Sequence, residues 1–451
     1  MKKKSISLYT YFLLLFIFIF ANLNIEKWKN NEVINWDIIG YYAYLPSTFI
    51  YHDYKLNFLK QNTQLDPEVK FWPLTAPNGN FVNKFSMGMS VMYAPFFFMA
   101  HVRSQVTGAK PNGFTWHYQK YVHLSCLFYL FIGLFFLRKL LLSWFDEWAV
   151  ALTLVSVTLG TNLFYNATTE SAMSHAYNFS LAAILMYCVH SWFAIKKIKY
   201  AVGIGITLGL LVLIRPINIV FALFPLLYGV QSFKDIVQNI KLFLSKPMDL
   251  ITIKALCILI VLPQLLYWKS VTGQFLFFSY VGERFFFLRP MIFHGLLSFR
   301  NGWLIYTPIM IFSIVGMYHL FKQKFHLSIA ILSIFVIYMY LVFSWWCWWY
   351  VGFGNRAMID LYSLLAIPMA AFYTYVLKQI DFKKKAILAI CFLLIALNLF
   401  QTLQYRRNLV HFDSMTFKAY IASFGRLHFT DEYKNALKQP EYEKAKQGLG
   451  E

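Results

Sequence analysis

Acidic residues are scarce in this sequence: 20 Asp and Glu stand against 41 Lys and Arg, and charged residues make up only 14% of 451 positions. So little charge cannot cover the surface of a soluble protein of this length. Cysteine is sparse too. Cys126, Cys188, Cys257, Cys347 and Cys391 have no CxxC partner and lie in or beside apolar runs. They read as small packing residues rather than metal or redox centres. The chain carries no GxGxxG after a strand, no P-loop, no HExxH and no GxSxG. These absences remove a visible nucleotide-binding domain, a zincin and a serine hydrolase. There is no internal repeat. No small-x-small cleavage site ends the first apolar run, which closes Phe20-Ala21-Asn22-Leu23-Asn24. An uncleaved first span behind Lys2, Lys3 and Lys4 is expected.

What the chain has in abundance is apolar length. Hydrophobic residues reach 59%, with 47 Phe and 30 Tyr. A spanning helix needs about 20 apolar residues. Runs near that length, or a little short of it, occur at 8–23, 118–137, 148–164, 172–195, 251–267, 303–320, 327–346, 358–377 and 386–403. Segment 200–230 is longer and is broken by Arg215-Pro216, where proline ends or kinks a helix. Lysines flank it on both sides, so the chain is expected to cross twice there, with Arg215 near the outer turn.

The expectation is an all-α polytopic membrane protein of about eleven spans in the inner (plasma) membrane. The N-terminus is cytoplasmic and the C-terminus outside. Residues 1–403 form the membrane domain and 404–451 a polar, partly helical tail. The large outer loops are 24–117 and 268–302. Within them, 84–102 reads as a re-entrant or surface-lying helix and 275–299 as an interfacial segment. The net charge of +21 follows from lysines in the inner loops, among them Lys196, Lys197, Lys199, Lys234, Lys241, Lys246, Lys322, Lys324 and Lys383 to Lys385. That is the positive-inside bias, and no nucleic-acid partner is expected.

A second set of ionisable residues falls at the opposite ends of the spans: Asp37, Lys84, Arg103, Glu170, His175, Arg215, Glu283, Arg284, Arg300, Arg356 and Asp360. Taken singly, each is more often a solvated or snorkelling side chain. Taken together, mixed carboxylates and cations on one rim suit a phosphate-bearing lipid substrate, with Lys84, Arg215, Arg300 and Arg356 as the phosphate-holding cations. Asp37 stands out. It follows the first span almost directly, in Asn35-Trp36-Asp37-Ile38-Ile39-Gly40-Tyr41-Tyr42, among aromatic residues that favour the interface. No DxD pair accompanies it, and no metal cofactor is expected.

This pattern resembles the GT-C superfamily of membrane glycosyltransferases, in the branch of protein O-mannosyltransferases and aminoarabinose transferases. That branch carries an Asp-Glu-x-Arg-Tyr-like motif in its first outer loop. Asp37 and Tyr41 match it, while Ile38 and Gly40 replace its Glu and Arg. A His-Lys-Pro-Pro-like motif is represented by Asn83-Lys84-Phe85-Ser86, where only the Lys matches. The family's second-loop acid corresponds to Glu170 or His175, a choice the sequence leaves open. Its late Arg before a proline-containing span resembles Arg356 to Pro368. The chain is also similar to bacterial multi-pass membrane proteins sharing Ser298-Phe299-Arg300 and Gly352-Phe353-Gly354-Asn355-Arg356.

The resemblance implies a polyprenyl-phosphate sugar as donor and an acceptor hydroxyl on a glycan, lipid or protein. Transfer would invert the sugar carbon, with Asp37 as general base and Lys84 on the lipid phosphate. The alternative is a transporter or flippase for a lipid-linked or anionic solute, which would also use broken helices and buried charge.

Overall fold

The first apolar run forms the helix Ile6–Ile25, which ends where Glu26 turns left-handed at φ 44°. At 1.5 Å per residue this helix is about 30 Å long, the thickness of a bilayer core. The computed structural model describes residues 5–61, 66–323 and 325–449. Lys2, Lys3, Lys4 and Lys324, assigned above to the inner face, lie outside the described residues.

Among the described residues, six helices are long and apolar enough to cross a membrane. They are Ile6–Ile25, Trp116–Leu141, Ser174–Ile195, Pro247–Thr272, the segment from Arg356 to Leu377, and Asp381–Arg406. Five shorter apolar helical segments accompany them: Glu147–Leu159, Ile198–Ile214, Pro216–Leu226, Pro308–Lys322 and Ser328–Phe343. Several expected runs are interrupted. The run at 148–164 stops at Gly160, and the chain restarts as Leu163–Thr168. The run at 303–320 is split by Pro308. Conversely, the last helix runs on to Arg406, three residues into the expected tail.

Small residues let the helices approach closely. A Cβ added at Gly133 would lie 2.5 Å from Ser180 Cα, where Trp116–Leu141 crosses Ser174–Ile195. Gly316 likewise meets the Pro368 carbonyl, where Ile311–Lys322 packs on Tyr362–Leu377. In lipid, where tails are as apolar as leucine, such close backbone contact drives helix association. Ile198–Ile214 packs along both Ser174–Ile195 and Pro247–Thr272.

The first loop is folded rather than slack. Short helices Asp37–Tyr42 and Tyr44–Phe49 lead to a two-stranded hairpin, Leu74–Thr75 with Phe81–Val82, turned at Gly79 with φ 78°. The turn is tied to the end of Pro247–Thr272, because Asn78 and Asn80 both donate to the Val271 carbonyl, at 2.8 and 2.9 Å. The apolar segment at 84–102 becomes the helix Gly88–Val106, which packs against Trp116–Leu141. The segment at 275–299 is mostly non-helical, with one short helix, Ile292–Leu297. Its strand-like part pairs with 343–346: Phe286 N donates to Ser344 O at 2.6 Å and Trp346 N to Arg284 O at 3.2 Å.

The described part of the tail holds three short helices, Phe417–Ser423, Asp431–Ala436 and Tyr442–Lys446. Thr416 and Thr430 cap the first two through their side chains, which satisfies otherwise orphaned N–H groups. The tail folds back onto the bundle. Phe412 O accepts from Asn301 Nδ2 at 2.5 Å and from Gly352 N at 3.3 Å.

Candidate active site

The rim residues gather at one end of the bundle. Helices Ile6–Ile25, Ile198–Ile214 and Pro247–Thr272 finish there, while Ser174–Ile195 and the segment from Arg356 begin there. Lys196, Lys197, Lys199, Lys246 and Lys378 flank the other ends of four of these helices, and Arg138 and Lys139 lie in the last turn of Trp116–Leu141.

Asp37 opens its short helix directly after Trp36, a non-glycine residue at φ 49° and ψ −129°. That backbone region is normally left to glycine and costs about 1–3 kcal/mol. The turn carries Asp37 towards Arg356, whose Nη2 lies 3.0 Å from Asp37 Oδ2. The other terminal nitrogen of Arg356 is 4.0 Å from Glu170 Oε2. Tyr165 donates its hydroxyl to Glu170 Oε1 at 3.2 Å. Asp37 is 37% exposed and Arg356 16%, so the carboxylate faces open space while the cation is largely enclosed. Asp37 Oδ1 and the buried Arg356 Nε have no hydrogen-bond partner among the described residues.

A second group is more fully buried. Asp360 is fully buried and takes four partners: His175 Nδ1 at 2.8 Å, Asn178 Nδ2 at 2.9 Å, the Tyr338 hydroxyl at 2.9 Å and Arg215 Nη1 at 3.2 Å. A buried carboxylate is stable only when paired and hydrogen-bonded in this way. Arg215 sits where the extended backbone before Pro216 ends Ile198–Ile214, and it also faces the Tyr350 ring at 5.9 Å.

Lys84 forms the third group. Its Nζ is 2.6 Å from Glu283 Oε1, and Trp346 Nε1 donates to Glu283 Oε2 at 3.0 Å. The Tyr280 ring lies 5.3 Å from the ammonium. The Lys84 turn is fixed against the end of the Arg215 helix. Ser86 Oγ donates to Leu213 O at 2.5 Å, and a Cβ added at Gly88 would come within 2.5 Å of Ile214 N. It is fixed against the Asp37 helix as well. Tyr44 donates to Phe85 O at 2.7 Å, Ser90 to Tyr41 O at 2.5 Å, and Gly40 leaves just enough room for the Phe85 ring.

Tyr41 stands among all three groups. Burial pushes its phenol up to about 12, Asp37 adds to the rise, and Arg215 and Arg356 oppose it. Tyr280 is raised likewise, first by burial, and it feels Tyr41, Arg215, Asp37 and Glu283. Asp37, Lys84, Glu170, His175, Arg215 and Arg356 therefore share one neighbourhood. Arg300 does not. It donates to the Asp413 carbonyl at 2.6 Å beside the Trp349 ring, and it ties the tail to the bundle. His175 is buried against Asp360, whereas Glu170 borders a cleft of about 710 Å³. Ile25 to Glu32, Tyr165 to Glu170 and Tyr405 to Phe412 supply the walls of that cleft.

This architecture has a known counterpart. The fold is shared with an archaeal oligosaccharyltransferase. AglB from Archaeoglobus fulgidus, solved with an inhibitory peptide and a dolichol-phosphate, superposes with a TM-score of 0.50 at 12% identity. The match covers 95% of this chain and 58% of AglB. A second Archaeoglobus fulgidus oligosaccharyltransferase structure, a complex with Zn and sulfate, gives 0.47 at 14% identity over 90% of this chain and 54% of that one. This chain thus spans little more than half the length of the proteins it resembles. No family model and no curated protein matches the sequence. At 12% identity the likeness concerns the fold.

Tyr280, Tyr338, Asn178 and Trp346 are site neighbours that the sequence did not mark. Only Asn178 carried a usable signal, because it lies three residues after His175 and so shares its helical face.

Proposed function

We propose that this protein is an integral-membrane glycosyltransferase that moves a sugar from a polyprenyl-phosphate donor to an acceptor hydroxyl. The observation that carries the reading is the convergence of Asp37, Arg356 and Glu170, next to Arg215 and Lys84, at one end of a GT-C-like bundle. The eleven apolar helical segments then cross the membrane with the lysine-rich ends in the cytoplasm, and the site opens on the outer face.

In this reading Asp37 Oδ1 accepts the acceptor's hydroxyl proton. The acceptor oxygen attacks the anomeric carbon, the bond from that carbon to the phosphate oxygen breaks, and that oxygen keeps the electron pair as the lipid-borne phosphate leaves. Single displacement inverts the anomeric carbon. Lys84, Arg215 and Arg356 hold the developing phosphate charge, and Glu170 rather than His175 is the second acid, because it borders both Arg356 and open space. No resident metal cofactor is assigned. Arg300 leaves the phosphate set and becomes a tail anchor. Donor lipid arrives from the Lys84 side, where Phe275, Leu276, Phe278, Val281, Phe287, Leu288 and Phe293 are exposed. Exposed apolar side chains at this density suit lipid contact.

The test is to incubate the purified protein with synthetic polyprenyl-phosphate sugars of defined anomeric configuration and follow the products by NMR. Appearance of the inverted anomer, whether as a glycoside or as free sugar released to water, supports the reading. A retained anomer, or an intact donor across the sugar panel, refutes it.

A further inference from the structure

The donor side of the site is described by exposed apolar rings and by Lys84. The other side is different in kind. Beyond Glu170 the cleft of about 710 Å³ is walled by chain segments that are distant in sequence: the turn after the first helix, the turn before Ser174–Ile195, and the junction of the last long helix with the tail. Its volume falls within the roughly 300–1,000 Å³ typical of small-molecule sites.

The chemistry of the walls is specific. Lys27 and Arg406 offer cationic donors, Glu32 and Glu170 offer acceptors, and Asn30 and Asn408 offer both. Tyr165 and Tyr405 meet edge to face with their centroids 4.8 Å apart, which puts flat apolar surface beside those groups. The Thr169 hydroxyl, also in the wall, is buried with no hydrogen-bond partner among the described residues. Alternating donors and acceptors beside aromatic faces match a sugar ring, which shows hydroxyls at its edge and C–H groups on its faces.

A lipid alcohol would need an apolar groove, whereas the wholly apolar side chains of this wall are Ile25, Val410 and Phe412, set among charged, amide and hydroxyl groups. A peptide held by strand addition would need a free sheet edge, and the strands described, Leu74–Thr75 and Phe81–Val82, line no part of this cleft.

We propose that this cleft is the acceptor site and that the acceptor is a carbohydrate, a short glycan or the exposed end of a longer one. It lies with a ring against the half-buried Tyr405, which the buried Tyr165 backs edge to face, and its reactive hydroxyl passes Glu170 to reach Asp37. The inference rests on the sugar-transfer reading of the Asp37 site. The C-terminal tail contributes Asn408, Val410, His411 and Phe412 to the wall, and Arg300 and Asn301 hold that stretch in place through Asp413 O and Phe412 O. Arg300 therefore acts on acceptor binding through the tail.

The test uses the full-length protein in detergent with two readouts. The first is release of sugar from a polyprenyl-phosphate donor to water, which needs no acceptor and reads the underlying activity alone. The second is the rate at which a Cys introduced by Glu32→Cys reacts with a bulky maleimide. The five native cysteines are buried or half-buried and provide the background in the unsubstituted protein. Maltotriose, chitotriose, the anionic trigalacturonate, a Ser/Thr-containing hexapeptide and farnesyl phosphate are compared. The expected result is several-fold slower labelling with at least one saccharide, glycosylation of that saccharide, and no protection by peptide or farnesyl phosphate. Protection by an uncharged trisaccharide points to hydroxyl recognition, whereas protection by trigalacturonate alone assigns the Lys27 and Arg406 cations the main part. Donor hydrolysis without protection by any saccharide, or protection by the peptide or farnesyl phosphate instead, overturns the proposal while leaving the transferase reading intact. Saccharide protection without donor hydrolysis or transfer overturns the transferase reading and leaves a glycan-binding cleft.

Discussion

Lys84 is held by Glu283 at 2.6 Å, and that pairing makes a prediction with two opposite signs. A phosphate at this site must compete with the Glu283 carboxylate for the ammonium. Lys84→Ala removes the charge-assisted partner. Because Lys84 is 30% exposed, the loss falls at the lower end of the usual range, about 1.5–2 kcal/mol, or roughly 10- to 30-fold weaker binding. Glu283→Gln keeps the shape and a hydrogen-bonding amide but removes the competing charge. A partly exposed pair of this kind is worth about 1 kcal/mol, so phosphate binding tightens about fivefold. The assay is binding of farnesyl phosphate to purified protein by calorimetry, with tryptophan fluorescence as a second readout, since Trp346 touches Glu283. Glu283→Gln in the Lys84→Ala background separates the local effect from a general loss of negative charge, because the gain disappears there if it runs through Lys84. An unchanged or weakened affinity in Glu283→Gln, or a full gain in the double variant, refutes Lys84 as a phosphate ligand.

Further outcomes follow from the other groups. Asp360→Asn leaves Arg215 without its counter-charge in a largely enclosed position, at a cost of about 3 kcal/mol; the melting temperature in detergent falls, an Arg215→Met, Asp360→Asn double variant regains part of it, and equal melting of Asp360→Asn and the parent contradicts the pairing. Turnover is unchanged by EDTA, and activity lost to EDTA and restored by a divalent cation would replace the arginine account with a metal-based one. Asp413 is opposed by burial, yet hydrogen bonds from His411, Ser414 and Tyr442 hold it below the usual carboxylate range. Its contribution to tail docking is therefore complete above the unfolded value of about 3.9 and is lost as pH falls through the lower folded value. Limited proteolysis after Arg406 accelerates only at such acidity, and a tail equally protected at pH 3 and pH 7 contradicts that linkage.

Much of the helical layout was legible because apolar runs of near-spanning length have few other uses. The break at Arg215-Pro216 could be read directly, since proline has no N–H to continue the helix and the preceding residue avoids helical backbone. The break at Gly160 was hidden, because the run on both sides is equally apolar. The folded interior of the first loop was also hidden. Its hairpin depends on Asn78 and Asn80 reaching Val271, a contact across more than 190 positions that leaves no local pattern.

The site was legible as a set of charges but not as a set of pairs. Asp37 and Arg356 are 319 positions apart and Arg215 and Asp360 are 145 apart, so which cation meets which carboxylate is a tertiary result. Arg300 shows the cost of reading charges without partners. It lies within the expected outer loop 268–302 like Glu283 and Arg284, and its guanidinium donates to the Asp413 carbonyl of the tail.

Asp37 is the most direct point of attack on the account. Asp37→Asn preserves size and most hydrogen bonding to Arg356 but cannot take up the acceptor's proton. The decisive measurement is turnover of a polyprenyl-phosphate sugar donor by the purified variant, at the same melting temperature as the parent and with farnesyl phosphate affinity no weaker than the parent's. A fall of roughly 10²- to 10⁴-fold is the outcome expected of a lost general base, whereas turnover close to the parent's would contradict the central claim.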